Sequence, residues 1–289
     1  MNQIVPTIST QTEPPLAVTG LKAPLNFIRR QDTKPVFHSA ALTNGQSKVF
    51  FETEAHSVPI SDMRDIAETL SVDHEGFELL RHTTAVENLY DDDAIEQVYY
   101  LEIEALLRRR FGAGQVVIFD VTRRSDDGTG AQNPDGRRGP ATQLHVDYTA
   151  KSGPQRAKDI LGEKEAARLT ASGARIIQIN VWRPIRGPVE RSPLALADAS
   201  TVAPEDLIAT DQIFPDRVGE IYNLAHAPSQ RWYHASRMTE DEVLLIKGWD
   251  SLDDGRARFT PHAAFNSPET REDAPARESI EVRTFVIIE

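Results

Sequence analysis

The sequence predicts a mainly β fold with flanking helices, a sandwich or barrel in outline, on three observations. After Gly173 come seven short β-like runs: ARIIQINVW, SPLALAD, GEIYNLA, RWYHAS, EVLLIKGW, ARFTPHAAF and SIEVRTFVII, each set off by turn residues. Strands at that spacing, following an α-richer first third, suit a β-sandwich or barrel. No repeat of solenoid or propeller length is visible, and no long helix falls within about the last hundred residues, which argues against a Rossmann arrangement.

The elements follow in order. Residues 1–22 are rich in Thr, Pro and Gln and predict a flexible N-terminal arm that offers a contact to a second subunit, so a homodimer is expected. Residues 23–289 read as one domain with its β core mainly over 115–289. APLNFIRR and KVFFETE predict strands, and PISDMRDIAETL, opening on proline and a Ser/Asp cap signal, predicts a helix. DDDAIEQVYYLEIEALLRRRFG gives the clearest helix. Aspartates stand at its N-terminus, arginines in its last turn and glycine after it, as the helix dipole and capping favour. QVVIFDVTRR predicts a strand, and residues 125–140, dense in Gly, Asp and Pro, a loop positioned as a lid. Residues 153–173 predict one exposed helix, and APEDLIA a short one. Gly112 and Gly114 come after a helix and before a strand, the wrong order for a phosphate-binding loop.

Composition removes several function classes. A formal charge of −12 disfavours nucleic acid and anionic membranes, which select for clustered Lys and Arg. The absence of cysteine excludes disulfides, thiolate-bound metal and a cysteine nucleophile. The N-terminus has no basic start and no apolar run of signal-peptide length, and no apolar run approaches the ~20 residues that span a bilayer. A small-molecule partner and a cytoplasmic location are expected.

The chemistry centres on LHVDYT. In an extended segment residues i and i+2 share a face, so His145 and Asp147 converge on one point. A metal there needs a third ligand from a neighbouring strand. Among the eight histidines, His38, His56, His74 and His82 lie upstream as surface or packing residues, and His226 and His234 flank a turn. His262 lies in a β run near the C-terminus. Two histidines and a carboxylate in this pattern are the facial triad of non-haem Fe(II) oxygenases, which leaves positions open for a co-substrate and O2. An arginine on the next strand should clamp the far carboxylate of 2-oxoglutarate, because planar guanidinium pairs with it in bidentate fashion. Arg283 is the expected clamp and Arg258 its rival.

The ordered set HVDYT, IINVWRPIRGPV (with Asn180, Trp182, Arg183 and Pro184), SPLALAD, RWYHASRM, EVLLIKGWDS, GRARFTPHAAF and RESIEVR resembles one oxygenase family. It comprises fungal and bacterial hydroxylase/desaturases, including gibberellin desaturase and the hydroxylation component of cephamycin biosynthesis. The resemblance covers roughly residues 20–289 and is densest over 143–285. It implies a double-stranded β-helix (jelly-roll, cupin-like) core using Fe(II), 2-oxoglutarate and O2, commonly in secondary metabolism. By position it implies His145, Asp147 and His262 as iron ligands and Arg283 as the co-substrate arginine, with no catalytic residue beyond the iron site. The family usually has an aromatic where this chain has His234, so that histidine is expected to pack or to support a ligand.

The expected reaction is oxidation of an unactivated C–H bond of a small molecule by hydroxylation, desaturation or oxidative cyclisation, releasing succinate and CO2. Arg183 and Tyr148 are candidate substrate contacts, and Arg123 and Arg124 candidate sources of positive charge for a carboxylated substrate. Trp182, Trp232 and Trp249 are expected in the core. Two other classes stay open on the sequence alone: a metal-dependent isomerase or hydrolase on a cupin-like barrel, and a catalytically silent binding module.

Overall fold

In the computed structural model of the chain, residues 20–39, 42–43, 47–134 and 136–289 are described. In chain order the strands are β1 (Gly20–Ile28), β2 (Val36–His38), β3 (Lys48–Phe50), β4 (Thr53–Asp62), β5 (Phe77–Arg81), β6 (Gln115–Ser125), β7 (Ala131–Asn133), β8 (Gly136–Arg138), β9 (His145–Val146), β10 (Arg175–Arg186), β11 (Leu194–Ala197), β12 (Leu207–Ile213), β13 (Val218–Leu224), β14 (Trp232–His234), β15 (Glu242–Asp250), β16 (His262–Ala264) and β17 (Glu278–Ile288). The helices are α1 (Asp92–Ala94), α2 (Tyr100–Phe111), α3 (Ser152–Leu161) and α4 (Glu163–Ser172).

Two sheets make the jelly roll. One has ten strands in the order β1-β4-β14-β11-β16-β9-β13-β12-β2-β3, the other five in the order β5-β15-β10-β17-β6. The five-stranded sheet separates two environments by simple alternation. Ile177, Ile179 and Val181 of β10, with Ile280, Val282 and Val286 of β17, pack under α2 through Ile103, Leu106 and Leu107. The opposite face turns towards the other sheet: Trp182, Leu244 and Ile246 meet Leu196, Met63 and Ala235. α3 and α4 cover one end through Ala157 and Leu169 against Trp249, Phe285 and Ile287. Trp182, Trp232 and Trp249 are all core residues, as expected.

Several local expectations are corrected. The helix expected over 59–70 is the end of β4 followed by a 3-10 turn, Met63–Ile66. Val58 and Ile60 are buried on one side of β4, and that period of two, satisfied by pairing with β1 and β14, outweighs the cap signal. Asp62 still caps, accepting from Arg64 N–H, but it caps only that turn. The helix expected over 153–173 is two helices broken at Gly162, whose φ of 84° and ψ of 148° no helix tolerates. APEDLIA supplies a 3-10 turn at Pro204–Asp206 and then enters β12. The acidic-to-basic helix is present, with a π-helical stretch at Ile95–Tyr99 between α1 and α2. Residues 125–140 carry the small hairpin β7–β8, with Ala131 and Asn133 buried. Most of the arm expected over 1–22 lies outside the described residues, and residues 20–22 already belong to β1.

Candidate active site

β9 and β16 are adjacent and antiparallel, and His145 pairs directly with His262. Their rings stand 4.7 Å apart between centroids. Each ring is pinned through Nδ1, that of His145 against the Gln143 carbonyl at 2.8 Å and that of His262 against the Thr260 carbonyl at 3.0 Å. A carbonyl only accepts, so both Nδ1 atoms carry the proton and both Nε2 atoms keep a lone pair, the tautomer a metal requires. Burial, then the neighbouring His262, pulls the His145 imidazole down to about 4, so it is neutral at physiological pH.

Asp147 lies just past the end of β9, with Oδ1 3.8 Å from His145 Nε2. Its other oxygen accepts from Asn180 Nδ2 at 2.6 Å, and Gln178 Nε2 in turn donates to Asn180 Oδ1 at 2.6 Å. Burial opposes its charge, yet Arg283, the two histidines and the Asn180 hydrogen bond outweigh burial and hold the carboxyl well below the usual carboxylate range. The chain Gln178–Asn180–Asp147 exists because β10 alternates. Residues 178, 180 and 182 face inward, and a bulge between Gln178 and Ile179, where Gly248 is the extra residue of β15, seats the amides. These two amides support a candidate ligand, and sequence reasoning missed the role. Their only signal was polar residues at alternate positions of an otherwise apolar strand.

Arg283 pairs across the sheet with Asn180 on one side and Asp120 on the other. Its guanidinium contacts Asp120 at 3.0 Å, Glu281 at 2.9 Å and Asp147 Oδ1 at 3.5 Å. Arg258 is turned elsewhere, to Asp253 at 2.7 Å and the Asp250 carbonyl at 3.2 Å. The structure therefore brings four of the expected residues together, His145, Asp147, His262 and Arg283, and leaves Arg258 outside.

The remaining candidates divide. Tyr148 lies beside the site, its hydroxyl pushed up to about 12 chiefly by burial. Arg183 faces the helices: its guanidinium lies 5.6 Å over the Tyr99 ring and donates to the carbonyls of His82 and Glu240. Arg123 likewise points to the helix side and pairs with Asp92 at 2.7 Å. Arg124, one residue on, points inward near enough to feel Asp147 and Arg283. His234 packs edge-on against Phe265 at 5.8 Å, a packing role.

Two imidazoles with available Nε2 atoms and one carboxylate are the donor set of a facial iron triad. Among the described residues no three histidine or carboxylate groups already sit at ion-gripping spacing. Asp147 is instead shared between Asn180 and Arg283. Among the described residues, Gln178 Oε1 and Arg283 Nε, on the two side chains that flank this arrangement, are buried without a partner. Unanswered polar atoms in a dry interior mark a place built for something polar. The residues fit the metal.

Comparison with known proteins supplies the class. A family model described as an oxidoreductase/YMDC permease-like domain matches residues 25–287. The hydroxylase/desaturase efuI of Hormonema carpetanum is 33% identical over 271 residues, covering 86% of this chain and 88% of that protein. The Fe(II)/2-oxoglutarate-dependent dioxygenase nvfI of Aspergillus novofumigatus is 32% identical over 250 residues, covering 84% and 87%. A solved structure of the iron and alpha-ketoglutarate-dependent endoperoxidase NvfI superposes with a TM-score of 0.80 at 29% identity, over 92% of this chain and 97% of that one. Among the described residues no helix is long and apolar enough to cross a membrane. With this fold, this pair of facing histidines and these relatives, the chain belongs to the Fe(II)/2-oxoglutarate-dependent hydroxylase/desaturase family of dioxygenases.

Proposed function

We propose that His145, Asp147 and His262 hold Fe(II), and that the enzyme oxidises an unactivated C–H bond of a small, carboxylated natural-product intermediate. The observation that carries the reading is the pair of histidines whose Nδ1 atoms are both committed to backbone carbonyls, leaving both Nε2 atoms free beside Asp147. When bound, iron and 2-oxoglutarate together supply an oxidant strong enough to take hydrogen from such a bond, with succinate and CO2 released. The chain's own part is to bind, orient and exclude water.

His145 and His262 present neutral imidazoles, and Asp147 presents a carboxylate kept charged by its neighbours. Gln178 and Asn180 fix the direction of that carboxylate. Arg283 supplies the positive charge beside Asp147 and is the expected partner of the co-substrate, in preference to Arg258, whose guanidinium is committed to Asp253. Hydroxylation, desaturation or cyclisation follows according to which substrate hydrogen is held nearest the site. A cytoplasmic location and a homodimer belong to the same reading, and sizing of the purified chain tests the latter.

The test is anaerobic titration with Fe(II) and 2-oxoglutarate, followed by O2-dependent succinate release. His145→Ala, Asp147→Ala and His262→Ala should each lose iron retention and turnover while keeping a cooperative melt. Near-normal activity in His262→Ala refutes the ligand assignment. Arg283→Ala should raise the KM for 2-oxoglutarate and Arg258→Ala should not; the reverse result moves the clamp to Arg258.

A further inference from the structure

On the helix side of β10, away from the candidate iron site, a guanidinium stands where the strand's alternation otherwise places apolar side chains. Ile177, Ile179 and Val181 pack under α2, and Arg183 is the next residue of that row. It is 1% exposed and forms no ion pair among the described residues. Its Nη2 donates to the His82 carbonyl at 3.1 Å and to the Glu240 carbonyl, whereas its Nε and Nη1 are buried without a partner. The carboxylates nearby are engaged elsewhere. Glu102 accepts from Thr84 Oγ1 at 2.5 Å and from Ala85 N–H at 2.8 Å, and Glu240 from Gly187 N–H at 3.0 Å.

Two more buried polar atoms share this neighbourhood. The Tyr99 ring lies 5.6 Å from the guanidinium, fully buried, and its hydroxyl has no hydrogen-bond partner. Burial pushes that hydroxyl up to about 12 against the opposing charge of Arg183, so it keeps its proton at neutral pH. The guanidinium is close enough to act on the oxygen, which still leaves the O–H proton unanswered. His82 Nδ1 is likewise buried and unpartnered. Burial, then Arg183, pulls His82 down; Glu102 opposes this and Arg109 of α2 adds to it, so the ring is neutral and the surrounding charge is net positive. Tyr99 closes the π-helical turn Ile95–Tyr99, a rare geometry found mostly at functional sites.

Each of these unanswered atoms is a donor, or a ring nitrogen that becomes one in the right tautomer. The missing partner is therefore an acceptor. A buried guanidinium without a counter-charge is costly, so the acceptor that answers both demands is negatively charged. A lone water has fewer lone pairs than there are donors, and it brings no charge. We propose that Arg183, Tyr99 and His82 bind a small monovalent anion of the halide class. Arg183 and Tyr99 have almost no exposed surface, which suits a compact ion and not an acid with a carbon body. Bound there, the ion ties the helix layer, through Tyr99, to the end of β10 and to the backbone at residues 82 and 240. The inference stands apart from the oxygenase reading.

The test uses the full metal-free chain in gluconate buffer, with chloride or bromide replacing gluconate at constant ionic strength. Tm should rise with the logarithm of halide concentration once the site fills, as binding to the folded state alone requires. Arg183→Met, which keeps the apolar stem and removes the charge, should lose that dependence. Where this variant does not melt cooperatively, Tyr99→Phe keeps the ring and removes one donor. It should weaken halide binding about tenfold, the loss of one hydrogen bond to a charged partner. Arg277 is a second buried arginine with unpartnered nitrogens, and Arg277→Met should keep the wild-type halide dependence. In crystals soaked in bromide, an anomalous peak should stand beside the Arg183 guanidinium. A wild type whose Tm ignores halide, a halide dependence that survives unchanged in folded Arg183→Met or Tyr99→Phe, or a bromide peak at Arg277 with none at Arg183, overturns the proposal.

Discussion

Replacing Asn180 by leucine isolates the contribution of the amide chain behind the candidate iron ligand. Asn180 is fully buried, so no water replaces its amide, and leucine keeps nearly the same volume. Two bonds of 2.6 Å disappear together, Asn180 to Asp147 Oδ2 and Gln178 to Asn180 Oδ1. A hydrogen bond to a charged group contributes about 1.5–3 kcal/mol, and each ~1.4 kcal/mol is a factor of ten in affinity. Arg283 remains 3.5 Å from the other oxygen and limits the rotation of the freed carboxylate. Iron affinity should therefore fall about 10- to 100-fold, the range found for residues that orient a ligand. Gln178, left with an unpaired buried amide, should lower stability by about 1–3 kcal/mol. Anaerobic calorimetry with Fe(II) measures the first effect and a thermal melt of the metal-free chain the second. A variant with lowered Tm but unchanged iron affinity would refute the claim that Asn180 aims Asp147.

Two further outcomes follow from the same geometry. Gly248→Ala places a methyl carbon 1.9 Å from Gln178 Oε1, so the Gln178 amide must shift away from Asn180; weakened iron binding is expected, and a variant that binds iron and melts as wild type does contradicts the role given to the bulge in seating that amide. His145 is held neutral down to about 4 by burial and by His262, against an ordinary value near ~6.5. The unfolded chain takes up that proton and the folded chain does not, so stability present above about pH 6.5 is lost as pH falls towards 4. Metal-free His145→Gln should show a shallower loss of Tm over that window, and identical slopes in the two proteins would count against a buried neutral His145.

The sequence by itself determined the parts of this protein that depend on local spacing. The seven β-like runs after Gly173 correspond to β10, β11, β13, β14, β15, β16 and β17, because apolar runs between turn residues have few other ways to hide their side chains. The His145 and Asp147 spacing, and the presence of a late histidine and arginine, were likewise legible. What only the tertiary structure decided is which side chains meet. Arg123 and Arg124 are neighbours in sequence, yet one ties down a helix and the other points into the barrel, since adjacent strand residues project to opposite faces. Arg183 is drawn by the same alternation to Tyr99 and away from the site. The sequence favours Arg283 as the clamp but leaves Arg258 as its rival, and it is cross-strand register that sets Arg283 against Asn180 and Asp120. The Gln178–Asn180–Asp147 chain depends on a contact across 33 residues and on burial, quantities that no local pattern encodes.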